Sequence, residues 1–162
     1  FITDILRTLA EAEQEEIAVA GRDVFYAVYD GTLPSGPACA TVYLVNHDLY
    51  GQPAYPELIV RERRLPVRVG SELRVAWILD DLVIAPHDRF VAVADARREA
   101  DGWTVILEAL PAEGERRVQI ESAQLRAVTL DGQALPLQRG IEGDHAVSCR
   151  LEGRQTLRIM PK

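Results

Sequence analysis

The segment from Phe90 to Leu110 constrains the fold of this chain more than any other. Its sequence, FVAVADARREADGWTVILEAL, contains two runs of alternating residues separated by a polar reversal with Asp101-Gly102. Alternation with a period of two is typical of half-buried strands, and an Asp-Gly pair is typical of hairpin turns. The segment therefore predicts a β-hairpin. One face of its second strand is expected to point inward and consists of Trp103, Val105, Leu107 and Ala109.

Alternation interrupted by turn residues continues through most of the chain after residue 16. Asp131-Gly132 predicts a tight hairpin, and the runs AVSCRL and TLRIM predict a closing hairpin across Glu152-Gly153. Many short strands with turns about every ten residues are typical of sandwiches and barrels. We therefore predict an all-β fold, an antiparallel β-sandwich of about ten short strands that forms one domain over residues 17–162.

Residues 1–16 follow a different pattern, because their apolar side chains recur at steps of three and four. This spacing predicts an amphipathic helix. Its stripe consists of Ile2, Ile5, Leu6 and Leu9. The chain starts with Phe1 instead of Met, so we expect a processed product, an engineered form or a piece of a longer protein. The helix would then be the junction with a missing upstream domain.

The run VFYAVY at 24–29 carries apolar residues on both of its faces. A strand with this composition is expected to be covered on both sides, and the amino-terminal helix is a candidate for one cover. Trp77 shares a face with Val75 and Leu79 in LRVAWIL, so it is predicted to lie in the core.

Charge and length limit the classes of partner. The 162 residues include 25 acidic and 18 basic side chains, a formal charge of -7 at pH 7, which repels phosphate backbones and anionic membranes. No apolar run approaches the roughly 20 residues needed to cross a bilayer. We expect no nucleic-acid and no membrane partner. A basic cluster at Arg61, Arg63, Arg64 and Arg68 is interpreted as a solvated strand face, with an anion site as the alternative.

The residues that could carry chemistry are few. No nucleotide-binding, zinc-protease or serine-hydrolase motif occurs, so we expect no cofactor, no metal site and no catalytic residue. Asp80 and Asp81 are adjacent and point in opposite directions in an extended chain, which favours a turn over a pair of cooperating carboxylates. Cys39 and Cys149 lack metal-ligand spacing, and a buried free thiol is the expected state of Cys149, with a disulfide as the alternative.

The longest irregular segment is the loop from Asn46 to Pro56, NHDLYGQPAYP. Loops on a rigid scaffold often carry binding groups, and tyrosine offers a ring with one polar end. We therefore predict that this loop is the partner-contacting edge, with two tyrosines as anchors and two polar companions. The predicted binding residues are Tyr50, Tyr55, His47 and Asp48. Tyrosines that only pack the loop against the domain are the alternative.

The succession TVYLVNHD, LPVRVG, LVIAPHDRFVAVADA, GWTVILEA and RRVQI resembles a known type of domain. It is similar to the carboxy-terminal β-sandwich regions that follow the catalytic barrel in many bacterial glycosidases and related polysaccharide-processing enzymes. The resemblance covers residues 40–160. It implies a domain without catalytic residues of its own, because in those enzymes they reside in the barrel.

Three functions remain open on this basis. The first is a non-catalytic accessory β-sandwich of a larger carbohydrate-active enzyme, which contacts a neighbouring domain of the same polypeptide or a glycan. The second is a self-contained carbohydrate-binding module. The third is a small hydrolase that uses Asp80, Asp81 or His87.

Overall fold

A computed structural model describes residues 17–48, 51–122, 125–140 and 143–160, and every regular element in these ranges is a β-strand. Over these residues the prediction of an all-β fold is confirmed. Fifteen strands are present where the sequence predicts about ten, because several strands of three or four residues are too short to show alternation. The predicted helix over residues 1–16 lies outside the described residues.

In chain order the strands are β1 (Ile17–Ala20), β2 (Val24–Thr32), β3 (Ala38–Asn46), β4 (Glu57–Val60), β5 (Arg63–Pro66), β6 (Arg74–Leu79), β7 (Leu82–Pro86), β8 (Val91–Glu99), β9 (Gly102–Ala109), β10 (Arg116–Glu121), β11 (Ala127–Leu130), β12 (Gln133–Leu135), β13 (Gln138–Gly140), β14 (Gly143–Cys149) and β15 (Gly153–Met160).

The strands form three antiparallel sheets. A seven-stranded sheet has the order β13-β14-β10-β7-β6-β3-β2, and a five-stranded sheet has the order β12-β11-β15-β9-β8. A small third sheet has the order β1-β4-β5. Six of the fourteen consecutive strand pairs form hairpins, and the other pairings join strands that are more distant in the chain.

The seven-stranded sheet lies between the other two. One of its faces shares a hydrophobic core with the five-stranded sheet, in which Ile84, Ile120 and Val147 meet Val105 and Leu157. Its other face packs on the three-stranded sheet, with Val42, Leu44 and Val83 against Leu58 and Leu65. Strands β6 and β7 are therefore apolar on both faces, which explains their nearly continuous hydrophobic sequence.

The central hairpin predicted from Phe90 to Leu110 is confirmed as β8 and β9. The four residues expected to face inward, Trp103, Val105, Leu107 and Ala109, are all buried in the core between the two larger sheets. The tight hairpin at Asp131-Gly132 is also confirmed. Both residues have positive φ, 47° and 85°, as a two-residue turn that matches strand twist requires.

The closing hairpin predicted from AVSCRL and TLRIM is wrong. Strand β14 pairs with β10 and β13 in the seven-stranded sheet, whereas β15 pairs with β9 and β11 in the five-stranded sheet. The connection between them crosses from one sheet to the other, and its Leu151 is buried in the shared core. Alternation identifies both strands, but it does not specify their partners.

The expectation that β2 is covered on both sides is also wrong. Strand β2 is the last strand of the seven-stranded sheet, and of its residues only Val24 is buried. Val28 packs partly against the core shared with the three-stranded sheet. On the opposite face of β2, Phe25, Ala27 and Tyr29 form part of an open surface. Trp77 on β6 is partly buried at the margin of the core.

Candidate functional site

A group of exposed aromatic side chains lies on one face of β2 and β3. Phe25 is 65% exposed, Tyr29 is 62% exposed and Tyr43 is 37% exposed. Ala27, between Phe25 and Tyr29 on β2, pairs directly with Tyr43 on β3, so all three rings project from the same side of the sheet. Together with His47, which follows β3, they are called the aromatic surface below.

The aromatic surface is open because the five-stranded sheet does not extend over this end of the larger sheet. The core between the two sheets takes residues from β6, β7, β10 and β14, but only Cys39 from β3 and none from β2. Phe25, Tyr29 and Tyr43 are on the same side of the sheet as that core. These rings continue the apolar face of the seven-stranded sheet past the edge of the five-stranded sheet that covers the rest of it.

The rings are arranged in two contacting pairs. The ring centroids of Phe25 and His47 lie 3.9 Å apart with an interplanar angle of 47°, and those of Tyr29 and Tyr43 lie 5.6 Å apart with an angle of 80°. The second pair has the edge-to-face geometry that aromatic rings prefer. Within each pair the two rings limit each other's orientation, so the surface is preorganised.

A notch lies over Ala27, beside the Tyr29–Tyr43 pair. It is lined by Ala27, whose side chain is a single methyl group, and by the rings of Tyr29 and Tyr43. The notch has a volume of about 360 Å³. Phe25 and Tyr29 are four residues apart, or about 13 Å along the strand, so a flat ring can enter between them.

The structure places the predicted loop residues in different surroundings. His47 joins the aromatic surface through its contact with Phe25. Asp48 is exposed, and its N–H donates to Asn46 Oδ1 at 2.9 Å. Tyr55 is exposed at 55%, between buried Ala54 and Pro56. Tyr50 lies outside the described residues.

The described part of the loop is tied to the body of the domain. Ala54 and Val69 exchange hydrogen bonds of 2.9 and 2.8 Å between their backbones. The side chain of Asn46 is buried, and its Nδ2 donates to the carbonyls of Gln52 and Val69. These bonds hold the chain on either side of Tyr55 and orient its ring away from the core.

Sequence reasoning missed Phe25, Tyr29 and Tyr43. The signal was present, because β2 carries aromatic residues two positions either side of a small residue. It was interpreted as a strand with two covers. Whether the aromatic side chains of such a strand are buried depends on how far the opposing sheet extends, which the local sequence does not show.

A second cavity, of about 430 Å³, lies where the three sheets meet. It is lined by apolar side chains and by Trp103, Asp30, Asp80 and Arg61. Asp80 is held by two guanidinium groups, at 2.5 Å from Arg61 and 3.2 Å from Arg98. Its φ of 55° matches the two-residue turn between β6 and β7, so this aspartate acts as a turn residue with ionic support.

The remaining candidates for the hydrolase alternative are not brought together with Asp80. His87 Nδ1 is 3.3 Å from the carbonyl oxygen of Arg117, at the far end of β7. Asp81 follows Asp80, and its carbonyl oxygen accepts a hydrogen bond from Arg63 at 3.0 Å. Among the described residues, no three His, Cys, Asp or Glu side chains converge in a way that could hold a metal ion.

We found no protein-family model, curated protein or solved structure that matches this chain. In the ranges that the structure describes, no helix has the length and apolar character needed to cross a membrane.

Proposed function

We propose that this chain is a non-catalytic accessory β-sandwich domain of a larger carbohydrate-active enzyme, and that the aromatic surface contacts its partner, a glycan or a neighbouring domain. The observation that carries the proposal is the exposure of Phe25, Tyr29 and Tyr43 on one continuous sheet face. The link to carbohydrate-active enzymes rests on the resemblance of residues 40–160 to accessory regions of glycosidases.

The exposure of these rings is the first support. Leaving a large apolar side chain in water forgoes about 1.5–3 kcal/mol that burial would contribute. Single exposed apolar residues are common, but a contiguous group usually marks an interaction site. Tyrosine and phenylalanine are also enriched where protein surfaces meet partners.

The notch over Ala27 favours the second candidate, a carbohydrate-binding module. Its floor is apolar and two tyrosine rings form its walls. The apolar face of a sugar ring can stack on an aromatic wall, while a tyrosine hydroxyl at the rim can hydrogen-bond to a sugar hydroxyl. The contact between Tyr29 and Tyr43 holds these walls in place without a ligand, which lowers the entropic cost of binding.

Titration of the protein with a panel of soluble oligosaccharides, and separately with the neighbouring domain that the proposal implies, tests the proposal. Tyr43→Ala should weaken binding to the true partner by at least about 1 kcal/mol, because it removes one wall of the notch. Tyr55→Ala is the matched control, since this tyrosine is also exposed but lies outside the aromatic surface. The thermal midpoint of each variant should be measured to separate lost contacts from lost stability.

The outcomes rank the alternatives. Glycan binding that Tyr43→Ala weakens supports the binding module, and domain binding that it weakens supports the accessory role. If Tyr55→Ala weakens binding and Tyr43→Ala does not, the loop from Asn46 to Pro56 is the site, as the sequence predicts. Failure to bind either partner would overturn the proposal.

A further inference from the structure

Strand β2 has an open edge. It spans nine residues, Val24–Thr32, and pairs with β3 on one side. In the part of the chain that the structure describes, no strand pairs with its other side. Proteins usually protect such an edge by keeping the strand very short or by placing lysine or proline on it. Strand β2 is long, contains no lysine or proline, and has Asp30 as its only charged residue. An edge of this kind is a template for another strand.

The hydrogen-bond pattern shows which residues face that edge. The N–H of His47 donates to Asp23 O at 2.8 Å, and the N–H of Leu33 donates to Pro37 O at 3.0 Å. The odd-numbered residues of β2 therefore direct their N–H and C=O groups toward β3. Because these directions alternate along a strand, the even-numbered residues Val24, Tyr26 and Val28 present their N–H and C=O groups to the open edge.

We propose that a second copy of this chain occupies the edge, with β2 of each copy paired antiparallel about a two-fold axis at Tyr26. The two seven-stranded sheets then form one continuous sheet. The pairing is self-complementary, because even-numbered residues meet even-numbered residues of the partner and both copies contribute the same surface.

Side-chain shape favours this register. It places Phe25 directly opposite the partner's Ala27, in a pair whose side chains approach closely. The Phe25 ring, the most exposed large apolar side chain of the strand, then packs beside the methyl group of the partner's Ala27, next to the partner's Tyr29. Symmetry repeats this contact, so each copy supplies a ring and a small residue for it to cover. The two aromatic surfaces become one, on the same side of the joined sheet.

Charge favours the same register. Arg22 and Asp30 are exposed, and among the described residues neither has an ion-pair partner within the chain. With Tyr26 on the axis, Arg22, which lies in the bend two residues before β2, comes next to the partner's Asp30, and the reverse pair forms by symmetry. Opposite charges facing each other across two strands are stabilising, and like charges are destabilising.

Charge reversal tests this dimer by sedimentation equilibrium. The wild-type protein should dimerise, and Arg22→Asp or Asp30→Arg alone should each raise the dissociation constant about tenfold or more, because two attractive pairs become repulsive. An equimolar mixture of the two single variants should form heterodimers, since Asp at position 22 of one chain then faces Arg at position 30 of the other. The double variant, which restores both pairs, should dimerise like the wild type.

Cysteine cross-linking tests the register independently. Residues paired across the axis lie about 5.5 Å apart at Cα, within disulfide range, so Tyr26→Cys should form a covalent dimer on mild oxidation. Val28→Cys is the matched control, because in this register residue 28 faces the partner's Val24 and the two cysteines are too far apart to bridge. A protein that stays monomeric at all concentrations, or one cross-linked by Val28→Cys but not by Tyr26→Cys, would overturn the proposal. Glycan binding is not needed for either result.

Discussion

At the scale of single residues, Asp95 shows how the turn after β2 is positioned. Its Oδ1 accepts the backbone N–H of Ser35 at 2.9 Å, and its Oδ2 accepts the hydroxyl of the same serine. These bonds connect the β2–β3 turn to the five-stranded sheet. A register shift between Val93 and Asp95 in β8 accompanies this contact. The hydrogen bonds from Ser35 lower the pKa of Asp95 below its usual 3.8, because they favour the charged carboxylate.

Ser35→Ala should raise the pKa of Asp95 toward 3.8, because the hydroxyl of Ser35 is the largest cause of its lowering. A lowered folded-state pKa means that the contribution of Asp95 to stability is complete above the unfolded-state pKa and is lost as pH falls through the folded value. A carboxyl carbon NMR titration measures the shift. Asp101 is the internal control, because Arg158 lowers its pKa and the substitution leaves that pair intact. An unchanged titration of Asp95 would contradict this account.

At the scale of elements, buried Arg116 holds the connection between β14 and β15. Its Nη1 donates to the carbonyl of Leu151, in that connection, at 3.0 Å, and also to the carbonyl of Leu110 after β9. Its Nε lies 3.0 Å from Asp88 Oδ2 in an ion pair without hydrogen-bond geometry. One side chain at the start of β10 therefore contacts three connections between strands, including the crossover from one sheet to the other.

Arg116→Ala should lower the free energy of unfolding by about 3–5 kcal/mol, because it leaves a partly buried carboxylate and two carbonyls without their cation. Arg117→Ala is the matched control. That neighbour makes an exposed hydrogen bond to Gln138, so its loss should cost less than about 1 kcal/mol. Urea denaturation of the two variants gives both values. Equal losses would show that Arg116 does not hold the crossover.

At the scale of the whole molecule, the core between the two larger sheets contains both cysteines. Cys39 on β3 and Cys149 on β14 are free and buried on the same face of the seven-stranded sheet, near opposite ends of its strand order. Burial is the main cause that raises the pKa of each thiol above its usual value. The reactive thiolate is therefore disfavoured as long as the core is closed.

Both thiols should react with an aromatic disulfide reagent at least about a thousandfold more slowly in the native protein than in denaturant, because reaction requires opening of the core. The absorbance of the released thiol gives the rate and the number of cysteines that react. Two thiols per chain are expected after unfolding. Fast reaction of Cys39 alone in the native state would show that the β3 end of the core opens separately.

Local pattern was sufficient for the longer strands and for the direction of many side chains. The inward face of β9, with Trp103, and the turn at Asp131-Gly132 follow from alternation and turn chemistry, which depend only on neighbouring residues. Of the aromatic surface, the sequence identified only His47, as part of the loop after β3. It did not identify Phe25, because an apolar residue on a strand has the same local pattern in a core and at an edge.

Only the tertiary structure decided which strands are neighbours and where each sheet ends. Strands β14 and β15 are consecutive but belong to different sheets, and β2 is exposed because the five-stranded sheet stops short of it. Pairing between distant strands depends on the shape and burial of surfaces assembled from the whole chain. Alternation is the same whichever partner a strand takes, so it determines the two faces of a strand but not what covers them.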